Sequence, residues 1–91
     1  MFIVVSYDIS DDKRRTRLHH TLKNFGTPVQ YSVFECVLDE TQFRRMKEAV
    51  AKVIKKDIDL VRYYSLCQRC QKHIEATAHA TVTHEVRTLV I

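Results

Sequence analysis

Ninety-one residues make one domain, and 45% hydrophobic with 29% charged residues excludes wholesale disorder. A single glycine and a single proline imply short loops and exclude any glycine-rich phosphate loop or dinucleotide fingerprint. Fifteen Lys and Arg against eleven Asp and Glu leave a net charge of +4. The excess gathers in residues 40–56, where six basic groups face two acidic ones; this points to a polyanionic partner or, equally well, to a solvated helix face.

Phe2 to Tyr7 is short, apolar and β-branched, which predicts a strand buried on both faces. Asp8-Ile9-Ser10-Asp11-Asp12 follows as a polar turn, and a helix is predicted from there to about Phe25. Leu18, Leu22 and Phe25 give it a buried stripe, and Gly26 is the expected C-terminal stop. Val29 to Leu38 is rich in strand formers, but its alternation slips at Val33-Phe34, which leaves one kinked strand or two short ones. Asp39 with Gln42 predicts a capping box opening a second helix over about 40–56. Phe43, Met46, Val50, Val53 and Ile54 form its apolar stripe, and Arg44, Arg45, Lys47, Lys52, Lys55 and Lys56 occupy the remaining surface. Asp59 to Leu66 predicts another strand, and Glu85 to Ile91 returns to strand composition. This order is that of an α+β, ferredoxin-like βαββαβ sandwich with an additional C-terminal strand. Residues 1–66 form its core, and residues 67–91 a C-terminal extension.

Asp8 ends a buried strand just before a helix, the place where open α/β layers hold ligands. Its carboxylate suits a hard cation such as Mg²⁺, or a turn-forming hydrogen bond to the next backbone N–H. Arg14, Arg15 and Arg17 follow on the helix. Beside a metal-binding carboxylate they suit a phosphodiester, since guanidinium matches phosphate in a bidentate way; the alternative is surface pairing with Asp11, Asp12 or Glu35. Cys36, Cys67 and Cys70 are an odd number, which fits a disulfide framework poorly and predicts a reducing, cytoplasmic location. Cys67-x-x-Cys70 is one knuckle, and His73, His79 and His84 match no finger spacing, so no zinc is expected. The N-terminus reads as neither a signal peptide nor a membrane span, and no membrane partner is expected.

Tyr7-Asp8-Ile9-Ser10-Asp11-Asp12-Lys13-Arg14-Arg15, then Asn24-Phe25-Gly26, then Val29-Gln30-Tyr31-Ser32-Val33-Phe34-Glu35-Cys36 closely resemble the CRISPR-associated protein 2 family. Val61 to Leu66 and Leu89-Val90-Ile91 fit its later strands, so the resemblance covers essentially the whole chain. It implies a two-fold homodimer in which each last strand extends the partner's sheet and the two Asp8 carboxylates share a divalent cation, Mg²⁺ or Mn²⁺. The implied activity is that of a metal-dependent endoribonuclease, acting on single-stranded RNA and in some members on DNA, that takes part in spacer acquisition with the CRISPR integrase dimer. Asp8, Arg15 and Arg17 match the catalytic positions, and Tyr7 and Phe34 lie near the site. Arg14, Arg15, Arg17, Arg44, Arg45 and Lys52 are the expected nucleic-acid contacts. Pro28 stands where some members carry a basic residue, and Ala78 where some carry glycine. A non-catalytic scaffold that binds duplex DNA, or an RNase-type toxin on the same fold, are the competing readings.

Overall fold

The computed structural model describes residues 1–71, with side chains through Arg69. The expected C-terminal strand, the histidines at 73, 79 and 84, and the Cys70 side chain lie outside the described residues.

The chain runs β1 (Phe2–Asp8), α1 (Asp12–Leu22), β2 (Thr27–Gln30), β3 (Val33–Val37), α2 (Glu40–Val53), β4 (Leu60–Leu66) and a single turn, α3 (Gln68–Gln71). The four strands form one antiparallel sheet in the order β2-β3-β1-β4, the ferredoxin-like arrangement. The apolar β1 therefore sits inside the sheet, hydrogen-bonded to a strand on either side. Its period of two sends Ile3, Val5 and Tyr7 to one face and Phe2, Val4, Ser6 and Asp8 to the other. The first set joins Phe34 and Cys36 of β3, Leu18 and Leu22 of α1, and Met46 and Val50 of α2 in one buried cluster. Each fully buried side chain of this size contributes about 1.5–3 kcal/mol. Phe25, Phe43, Val53, Ile54, Val61 and Tyr63 pack against its margin.

Both helices begin where their caps dictate. The Asp11 carboxylate accepts the Arg14 N–H at 2.9 Å. At α2 the capping box is complete: Gln42 N–H donates to Asp39 Oδ1 at 2.7 Å, and Asp39 N–H donates to Gln42 Oε1 at 2.9 Å. α1 stops earlier than Phe25, because Asn24 N–H turns to the Thr21 carbonyl and Phe25 N–H to that of Leu22, tightening the chain into i→i−3 bonds. Gly26 does not act through left-handed backbone, since its φ is not positive. It is required for space: a Cβ there would lie 2.3 Å from Cys36 Sγ and 2.5 Å from the Glu35 carbonyl oxygen.

Val29 to Leu38 resolves into two strands. Tyr31 and Ser32 form the turn between β2 and β3, and Ser32 takes the left-handed conformation at φ 61°. The register shifts between Pro28 and Gln30, on the edge strand, where a residue without an N–H is tolerated. α2 ends at Val53, short of residue 56, as Ile54 moves to extended backbone. Among the described residues no helix is long and apolar enough to cross a membrane.

Candidate functional site

Asp8 is the last residue of β1 and is exposed, while Tyr7 before it and Ile9 after it are buried at 6% and 3% exposure. Strand and core thus hold the backbone on either side of a carboxylate that reaches solvent. Among the described residues no side chain pairs with Asp8. Two neighbouring segments close on this point. The Tyr7 N–H donates to the Ser32 carbonyl at 3.0 Å, which ties the β2–β3 turn to the end of β1. Arg15 Nη1 donates to the Ile9 carbonyl at 3.0 Å, and its Nη2 to the Asp12 carboxylate. Arg15 is therefore held one residue from Asp8, and the bond to Asp12 raises its pKa further. Burial raises the Tyr7 pKa, and Tyr31 nearby adds to that, against the Ser32 hydrogen bond and the Arg15 charge.

Arg17 is exposed two residues further along α1, where Asp12, Lys13, Thr16, Arg17 and His20 line a shallow groove. Arg14 has a different setting. Its Nε and Nη2 donate to Asp59 Oδ2 and Oδ1 at 2.8 and 3.1 Å, a bidentate pair that joins α1 to the loop before β4. The Asp59 side chain has no exposed surface and also accepts the Lys55 N–H at 2.9 Å. Arg14, the larger cause, and that N–H together hold its carboxyl below the usual range. Arg14 thus acts first as a staple, with Asp11 a second partner at 3.8 Å. Arg44, Arg45 and Lys52 are exposed on α2, and Lys47 lies 4.4 Å over the Phe43 ring.

Phe34 is fully buried, 6.4 Å from the Tyr7 ring and 5.1 Å from that of His19, so it supports the site from the core side. Cys36 is buried against Met46, and burial pushes its thiol up to about 11. Cys67 is exposed. Among the described residues no three His, Cys, Asp or Glu side chains gather into a metal site. Of the three aspartates at this end of β1, Asp8 is the one left open to a cation, because Asp11 caps a helix and Asp12 holds Arg15. One carboxylate fits Mg²⁺ only as part of a site in which water and further oxygen ligands complete the coordination.

Three features escaped the sequence. The Asp59–Arg14 pair joins groups 45 residues apart, and no local signal reports it. The His19–Phe34 contact was hidden because His19 borders the apolar stripe without belonging to it. Tyr31 at the turn had one usable signal, the slip in alternation two residues later.

The family model for "CRISPR associated protein Cas2" matches residues 1–74. A CRISPR-associated endoribonuclease Cas2 of Chloroflexus aurantiacus is 47% identical over 68 residues, which cover 75% of this chain and 73% of that one. A second protein of that name, from a Synechocystis strain, is 30% identical over the full length of both chains. The crystal structure of Streptococcus pyogenes Cas2 superposes with a TM-score of 0.76 at 28% identity, covering 86% of this chain and all of the other.

Proposed function

The chain belongs to the Cas2 family of CRISPR-associated proteins, and from that premise we propose that it is a divalent-metal-dependent endonuclease. It cleaves phosphodiester bonds of single-stranded RNA, and it serves CRISPR adaptation beside the integrase dimer. The observation that carries this reading is the exposed Asp8 at the end of β1 with the Arg15 guanidinium fixed one residue away. Relatives that carry the name endoribonuclease support it.

In this reading Asp8 holds Mg²⁺ or Mn²⁺ together with Asp8 of a second copy. An ion held there would supply a water of lowered pKa and a Lewis acid for a phosphate oxygen. Arg15 is charged at any working pH, and its anchors hold it in place, so its remaining N–H groups can donate to the phosphoryl oxygens, where charge grows, without reorganising. Arg17 stands free among the described residues to bind a neighbouring phosphate. Burial of Tyr7 and Phe34 keeps the end of β1 rigid.

A second reading, a scaffold for duplex DNA, is favoured by one observation: Arg44, Arg45 and Lys52 are exposed on α2, a different element from the one beside Asp8. Asp8→Asn separates the two. It keeps an oxygen for turn hydrogen bonds and removes the charge that binds the cation. Divalent-dependent cleavage of single-stranded RNA should fall by orders of magnitude, while integration with the partner integrase persists. Cleavage equal to the parent's, in protein free of contaminating nuclease, would overturn the catalytic assignment.

A further inference from the structure

Tyr31 is 80% exposed, more than any other large apolar side chain described. Among the described residues no ring packs on it. A side chain this open contributes little to the core, yet the backbone beneath it is held firmly. Ser32 beside it adopts φ 61°, a left-handed conformation that residues other than glycine rarely take. Its carbonyl is tied to Tyr7 N–H at 3.0 Å, which places the turn at the Asp8 end of β1. The left-handed Ser32 closes the β2–β3 turn, so Tyr31 is carried at a defined point of the surface.

The surroundings indicate what the ring meets. Arg15, anchored to the Ile9 carbonyl, stands on the same end of the sheet. Tyr31 precedes Ser32, whose carbonyl is bound by the Tyr7 N–H, so its ring leaves the chain at the end of β1 where Arg15 is anchored. An exposed aromatic face beside a fixed guanidinium is the pairing that single-stranded nucleic acid requires, one to stack on a base and the other to hold a phosphate. A duplex keeps its bases stacked on one another, so it cannot use such a ring in the same way.

We propose that Tyr31 is a stacking platform for an unpaired base of the substrate strand, and that it sets the preference for single-stranded over duplex nucleic acid at the Asp8 site. This rests on the reading of the site as one for phosphodiesters. A second copy of this chain is the other candidate to cover the ring, and the charge beside it favours the nucleic acid.

The test is fluorescence anisotropy in metal-free buffer, where nothing is cleaved, with a labelled single-stranded RNA of mixed sequence and a duplex DNA. Tyr31→Ala should weaken single-strand binding roughly ten- to a hundredfold, leave duplex binding unchanged, and sediment as the parent does. Tyr31→Phe, which keeps the ring, should bind as the parent does. Single-strand binding by Tyr31→Ala equal to the parent's would overturn the stacking role and leave the phosphodiester reading standing. An equal loss on both nucleic acids, or a change in oligomeric state, would also overturn it, the latter by making Tyr31 an interface residue. A parent that binds neither nucleic acid would overturn both readings.

Discussion

At residue 26 the requirement is the absence of a side chain. The backbone there passes so close to β3 that a methyl group would meet both the Cys36 sulfur and the Glu35 carbonyl oxygen. Gly26→Ala should therefore cost about 1–3 kcal/mol, as overpacking of a filled core does. Adding Cys36→Ala relieves only the sulfur contact, so denaturant melts of the single and double variants should show partial recovery and not full recovery. Asp59 is the second residue with an outsized role. Its folded-state pKa is lowered by Arg14 and by the Lys55 N–H, so its contribution is complete above the unfolded value of about 4 and is lost as pH falls through the folded value. Asp59→Asn should be clearly less stable than the parent at neutral pH. Thermal melts followed toward acid should show that gap narrowing below about pH 4. A gap that stays constant would mean the ion pair adds nothing beyond shape.

Among the elements, α2 presents the clearest division of labour. Its stripe of Phe43, Met46, Val50 and Val53 packs on the core, and Arg44, Arg45 and Lys52 remain in solvent. A duplex backbone lying along this helix would release about 0.9 counterions for each phosphate contacted. Replacing Arg44, Arg45 and Lys52 with Gln should lower the slope of log affinity against log salt by about 2.7 if all three touch phosphate. An unchanged slope would show that the helix faces only solvent. The same substitutions should leave cleavage of a short single strand unaffected, because none of the three lies on α1 or at the end of β1. α1 has a different balance: Arg14 and Arg15 are each held by a carboxylate, which leaves Lys13 and Arg17 as the cations that line its groove.

For the whole molecule, the sheet has two unlike faces. Helices cover one. The other carries Val4, Ser6 and Asp8 of β1 beside Leu60, Arg62 and Tyr64 of β4, with Val37, Leu60 and Tyr64 at 39, 46 and 45% exposure. Leu60 pairs directly with Asp8, so a two-fold association through this face would bring two Asp8 carboxylates toward the same axis. The proposed homodimer thus supplies what one chain lacks for a cation site. Leu60→Lys with Tyr64→Lys should convert dimer to monomer in sedimentation and abolish divalent-dependent cleavage although Asp8 is intact. A double variant that remains dimeric would remove this face from the interface.

Much of this was legible in the sequence by itself. The apolar run of Phe2 to Tyr7, the stripes of both helices and the Asp39–Gln42 box are short-range patterns, and each formed within a few residues of its expected limits. The placement of Asp8 at a strand end was legible for the same reason. The division of Val29 to Leu38 was not, because the turn rests on Ser32 in a left-handed conformation, without the Asn-Gly or Asp-Gly pair that announces one. Periodicity assigned Asp8 to one side of β1, but only the packing of α1 and α2 decided that this was the side left without helices. Arg14, Arg15 and Arg17 read as three similar cations in a row. Folding gave one to Asp59, anchored one beside Asp8 and left one in solvent, because those partners are set by how distant segments meet and not by neighbours along the chain.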